Sequence, residues 1–151
     1  MTIFIDADSC PQKVRDIVYR ASIKRNIPCI QIANRRIPHP KHITMIITDA
    51  SEGSADEEIL GTAHEGDLVI TRDIPLADRL LKNNVTVIND RGGQFSKETI
   101  GERLSMRNAM ADFRAHGLLE PSQKQFSQKE LKAFADCFDA TIQKLVKNQS
   151  S

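Results

Sequence analysis

The chain contains no tryptophan and a single tyrosine, Tyr19. Basic segments interleaved with aromatic rings, the usual platform for stacking nucleobases, are therefore missing. Cysteine is scarce as well. Cys10, Cys29 and Cys137 are odd in number, far apart and without any paired metal-ligand spacing, so a reduced, cytoplasmic compartment is expected. No apolar run approaches the roughly 20 residues that span a bilayer, and no membrane role is expected. The first strand-like run starts at residue 2, which leaves no room for a signal peptide. An excess of one charge is also absent: 21 basic residues against 20 acidic ones give +1. A polyanionic partner must then be sought in local clusters rather than in the total. Repeats and low-complexity segments are missing too.

What is present fits one domain. The chain has 151 residues, 40% hydrophobic and 27% charged, enough to bury roughly two thirds of its unfolded surface. Five runs read as buried strands, and four of them close on an aspartate. These four are Thr2-Ile3-Phe4-Ile5-Asp6, Thr44-Met45-Ile46-Ile47-Thr48-Asp49, Asp67-Leu68-Val69-Ile70-Thr71-Arg72-Asp73 and Val85-Thr86-Val87-Ile88-Asn89-Asp90. The fifth, Pro28-Cys29-Ile30-Gln31-Ile32-Ala33, is more polar. Continuously apolar strands belong to parallel sheets covered on both faces.

Helices alternate with these strands. Ser9-Cys10-Pro11-Gln12 has a helix-start pattern, followed by an apolar stripe of Val14, Ile17, Val18 and Ala21. Ser54-Ala55-Asp56-Glu57 reads as a capping box, 74–82 as a short helix, and 96–116 as one long helix or one broken near Gly101. A polar connector over 117–126 leads to Ser127-Gln128-Lys129-Glu130, a second capping box. The final helix, 127–147, carries Leu131, Phe134, Ala135, Phe138, Ile142 and Leu145 at helical spacing and should fold back on the domain. The expected domain is 1–147, with 148–151 a frayed tail. Right-handed crossovers then imply an α/β/α sandwich around a mostly parallel five-stranded sheet of order 3-2-1-4-5. Its switch point lies between strands one and four, at the carboxyl edge.

Asp6 and Asp73 close those two strands, and Asp8 follows in the turn. On a helical wheel Asp56 falls at the centre of the arc made by Ile59, Leu60 and Ala63, the buried face, while Asp78 sits at the edge of its own helix's apolar face. Each acid alone has a plain structural account: Asp73 can cap its helix and Asp56 can favour a helix dipole. Together, Asp6, Asp56 and Asp73 read better as a shared site. Hard oxygen ligands suit Mg²⁺ or Mn²⁺, and the chemistry that follows is phosphodiester hydrolysis.

Asp6-Ala7-Asp8-Ser9-Cys10-Pro11, Ala55-Asp56-Glu57-Glu58-Ile59 and Gly66-Asp67-Leu68-Val69-Ile70-Thr71-Arg72-Asp73-Ile74-Pro75-Leu76-Ala77 together resemble the bacterial YaiI/YqxD family, over nearly the whole chain. That family is uncharacterised as to function and is similar to PIN and NYN domains, compact α/β nucleases that bind divalent metal through clustered acids. The resemblance implies a PIN-like fold and catalytic roles for Asp6, Asp56 and Asp73. It also implies a metal site of these three with Asp8 and Asp78 as further ligands. Asp78 is the first choice for a fourth acid and Asp90 the second. Ser9 stands where the family's opening motif is expected to have alanine.

A nuclease also needs cations for phosphates. Arg35, Arg36 and Lys41, near His39 and His42, make one basic loop. Arg103, Arg107 and Arg114 share a helix face. The expected partner is nucleic acid, RNA ahead of DNA. Two alternatives stand beside this: a haloacid-dehalogenase-like phosphatase with Asp6 as nucleophile and Asp8 as acid, and a non-catalytic RNA- or protein-binding module whose acids only cap helices.

Overall fold

The computed structural model describes residues 1–51, 53–117 and 126–149. Most of the expected connector, 118–125, and the last two residues of the expected tail lie outside the described residues. Five strands, β1 (Ile3–Asp6), β2 (Cys29–Ala33), β3 (Thr44–Ile47), β4 (Leu68–Ile70) and β5 (Thr86–Ile88), form one sheet. Every pairing is parallel, in the order β3-β2-β1-β4-β5, as the alternation of strands and helices predicts. The helices are α1 (Gln12–Arg25), α2 (Ser54–Thr62), α3 (Ile74–Lys82), α4 (Ile100–Ala115) and α5 (Gln128–Gln149).

Alternation along each strand divides the core into two. Ile3, Ile5, Leu68 and Ile70 face one way, among Val14 and Val18 of α1 and Phe134, Phe138 and Ile142 of α5. Phe4, Val69 and Val87, which stand in register across three strands, face the other way. They meet Ile59 of α2, Leu76, Ala77 and Leu80 of α3, and Ile100 of α4. The result is a three-layer α/β/α fold. Each of the larger of these side chains contributes about 1.5–3 kcal/mol of burial, which holds the sheet's centre and its carboxyl edge with it.

The ends of the helices differ from expectation in instructive ways. Neither Ser9 nor Ser54 caps a helix. Ser9 sits in a 3₁₀ turn over Ala7–Ser9, and Pro11 precedes α1. Gly53, at φ 80°, precedes α2, and the Ser54 hydroxyl instead donates to the Asp49 carbonyl at 2.7 Å. One half of the second capping box forms: Glu130 Oε2 accepts the Ser127 amide at 2.9 Å, and the Ser127 hydroxyl also donates to Glu130. α4 is continuous through Gly101, and α5 runs on to Gln149, whose amide donates to the Gly66 carbonyl at 3.2 Å.

Candidate functional site

Asp6 is the last residue of β1, at the centre of the sheet, and only 5% exposed. Its Oδ2 accepts hydrogen bonds from Thr71 Oγ1 at 2.6 Å and Ser9 Oγ at 3.1 Å. Asp73 lies three residues past β4, on the neighbouring strand. It caps α3, with Oδ1 accepting the Leu76 amide at 3.0 Å. The capping role weighed from sequence is therefore real, and it leaves Oδ2 free of that bond. Asp56 projects from the first turn of α2, half-buried beside the fully buried Ile59. The Asp73 side chain acts on its carboxyl group electrostatically.

These acids line one open cavity of about 740 Å³ at the carboxyl edge, together with Asp8, Ser9, Asn34, Arg72 and Arg107. Burial raises the Asp6 pKa; the Thr71 and Ser9 hydrogen bonds oppose the rise, and the charges of Asp73 and Asp8 add to it. Asp56 is pushed up to about 6 by burial and by the charges of Asp73 and Asp6. Three carboxylates from three distant parts of the chain thus repel one another across one space, which is the condition a cation relieves.

The remaining acids have other engagements. Asp8 accepts the Asn34 amide at 3.1 Å and Arg35 Nε at 3.4 Å, which orders the loop after β2 at the cavity's rim. That arrangement leaves Asp8 paired rather than poised as a free acid. Asp78 is not among the lining residues and pairs with Lys82 at 3.1 Å. Asp90 is fully buried and held by Arg72. Among the cations singled out from sequence, Arg107 lines the cavity. Arg103 lies one turn earlier, its guanidinium 4.8 Å above the Phe95 ring. Arg36 and Lys41 are exposed and away from it.

Two residues escaped the sequence analysis as site components. Thr71 is fully buried; it donates to Asp6 and its Oγ1 also accepts the Asp73 amide at 3.0 Å. Arg72 donates its amide to Ser9 Oγ at 3.2 Å and its guanidinium to Asp90. The available signal was their position, between a buried strand and its terminal acid.

Among the described residues, no three His, Cys, Asp or Glu side chains stand as a ready coordination set. Electrostatic repulsion reaches further than a coordination bond, so the two observations are compatible. Mg²⁺ keeps several waters and commonly takes only one or two carboxylates directly. An oxygen-only donor set of Asp6, Asp56 and Asp73 around one cavity has the chemistry such an ion takes, and these three would hold it.

No helix among the described residues is long and apolar enough to cross a membrane. The sequence profile described as "Uncharacterized BCR, YaiI/YqxD family" matches residues 4–144. A "UPF0178 protein" of Treponema denticola is 42% identical over 149 residues, covering 99% of this chain and 96% of the relative. One from Syntrophobacter fumaroxidans is 39% identical over 153 residues, covering 100% of both. One from Treponema pallidum is 41% identical over 149 residues, covering 97% of this chain and 84% of the relative. No solved structure matches.

Proposed function

The chain belongs to the YaiI/YqxD family, and we propose that it is a divalent-metal-dependent hydrolase of phosphodiester bonds in nucleic acid, RNA ahead of DNA. The observation that carries this is the meeting of Asp6, Asp56 and Asp73 on one open cavity, where burial and then the charges of Asp73 and Asp6 push the Asp56 pKa up to about 6. Packing like charges together costs stability, and helix capping explains only Asp73. The resemblance to PIN and NYN domains supports the same conclusion.

Bound Mg²⁺ or Mn²⁺ supplies a more nucleophilic water and offsets charge on the phosphate oxygens. The chain's own residues do the rest. Thr71 fixes the rotamer of Asp6 and, through the Asp73 amide, the start of α3. Gly53 and the Ser54 bond to Asp49 set the entry of α2 and so the placement of Asp56.

Calorimetric titration with Mn²⁺ tests the proposal. Wild-type protein should bind the ion and cut a labelled oligonucleotide. Asp6→Asn and Asp56→Asn should lose both activities while keeping the wild-type circular dichroism spectrum. Unchanged Mn²⁺ affinity in both variants would end the proposal, and a phosphoaspartate trapped on Asp6 would replace it with a phosphatase.

A further inference from the structure

We propose that Arg107 is the anion-positioning residue of this cavity, holding a phosphate of a nucleic-acid strand opposite the carboxylates; the proposal rests on the phosphodiester-hydrolase reading above. Two arginines line the cavity, and they differ in what they hold. Arg72 is committed to the buried Asp90, 2.5 Å from Nη2 to Oδ2. The neighbouring cations are likewise engaged: Arg35 with Asp8, Arg79 with Glu57 and Arg103 with the Phe95 ring. Among the described residues, Arg107 has only a neutral partner, the Asn108 side-chain oxygen at 3.3 Å. It borders the same space as four carboxylates, Asp6, Asp8, Asp56 and Asp73, yet forms no ion pair with any of them.

The helix that carries it is anchored at its N-terminal end. Ile100 is buried against α3, and Arg103 rests on Phe95. Arg107 follows on the same face, about 6 Å further along the axis. An exposed guanidinium bordering the cavity, unpaired with the acids that line it, leaves room for a ligand that presents oxygens to both sides. A phosphodiester does this, with one non-bridging oxygen toward the guanidinium and the other toward a cation on the acids. Arginine's planar fork suits such an oxygen pair better than a lysine ammonium does.

The test is fluorescence anisotropy of a short labelled oligoribonucleotide, in EDTA and again in Ca²⁺, with wild type, Arg107→Ala, Arg107→Lys and Arg114→Ala. Arg107→Ala should bind about 10- to 100-fold more weakly in both buffers. Arg107→Lys should recover part of the loss. Arg114→Ala, an exposed arginine on the same helix that does not line the cavity, should stay within about threefold. Mn²⁺ affinity of Arg107→Ala, measured without oligonucleotide, should match wild type.

Equal losses from Arg107→Ala and Arg114→Ala would reduce the effect to general surface charge and overturn the inference. So would wild-type binding by Arg107→Ala, or no binding by wild type. Displacement by inorganic phosphate at equal affinity would overturn the assignment to a strand. The hydrolase reading fails separately: if wild type neither binds Mn²⁺ nor cuts, binding in EDTA that depends on Arg107 still stands.

Discussion

Thr71 Oγ1 donates to Asp6 Oδ2 at 2.6 Å, tying the end of β4 to the end of β1 inside the site. The same oxygen accepts the Asp73 amide at 3.0 Å, so one buried hydroxyl orients two of the three acids. Thr71→Val keeps the shape and deletes both bonds. The expected cost is about 1–3 kcal/mol in urea unfolding, because a half-buried amide and a buried carboxylate each lose a partner. Losing Thr71, the strongest influence lowering the Asp6 pKa, should also raise that pKa further. Mn²⁺ affinity should fall by about tenfold or more. Thr71→Ser should restore both properties; failure to do so would mean the methyl group, not the hydroxyl, carries the effect.

Arg72 and Asp90 form an asymmetric pair, with side chains 54% and 1% exposed. Removing either end therefore has unequal consequences. Arg72→Met leaves a carboxylate in the interior without its partner, at an expected cost of about 3 kcal/mol. Asp90→Asn leaves a guanidinium that can turn to water, at about 1 kcal/mol. Chemical denaturation of both variants and the double variant checks this. Equal single losses would show that Asp90 is not the buried charge that matters.

The sheet was legible because its signal is chemical and local. Strands with apolar residues at every position belong between two layers, and Ile3-Phe4-Ile5 and Leu68-Val69-Ile70 are both of this kind, whereas Met45-Ile46-Ile47, read as buried, lies in the edge strand β3 and is half-exposed or exposed. The strand order followed from the crossover rules, and with it the adjacency of Asp6 and Asp73. Asp56 was found from helical phase against Ile59, Leu60 and Ala63. The helix caps were misjudged at Ser9 and Ser54, where a 3₁₀ turn and a glycine with positive φ set the geometry instead. A short hydroxyl-bearing residue fits a cap and a side-chain bond equally well, and only tertiary contacts decide. The Arg72–Asp90 and Thr71–Asp6 bonds were hidden for the same reason: they join residues 18 and 65 positions apart.

Gly92 makes a prediction about the docking of α5. Its φ is +87°, and a β-carbon there would fall 2.5 Å from the backbone carbon and oxygen of Ala133. Backbone atoms in the middle of a helix cannot step aside individually. Gly92→Ala should cost about 2–4 kcal/mol by urea unfolding, from the strained φ and the clash together. Gly61 is the control: it lies within α2, and a β-carbon added to it would meet nothing within 4 Å among the described residues. Gly61→Ala should leave stability unchanged or raise it by about 0.5–1 kcal/mol. Similar effects at both positions would mean that α5 does not press on the turn at Gly92.

Asp56 links stability to pH with a definite sign. Its folded pKa is raised from 3.8 to about 6, first by burial and then by Asp73 and Asp6. The folded chain therefore holds this proton more tightly than the unfolded chain does. Its contribution is fully favourable below 3.8, declines as pH rises toward 6, and is gone above that value. At neutral pH the ionised group is a net cost, on the order of 1 kcal/mol after solvent screening. Asp56→Asn removes the titration and most of the repulsion. Metal-free Asp56→Asn should thus melt higher than wild type at neutral pH and close to it under acid conditions. Mn²⁺ should reverse that order at neutral pH, because only wild type gains stability from binding the ion. Differential scanning calorimetry across this pH window, with and without Mn²⁺, reads both effects. A metal-free variant less stable than wild type at neutral pH would show that Asp56 holds α2 in place, and the case for a strained cation site would fail on that measurement alone.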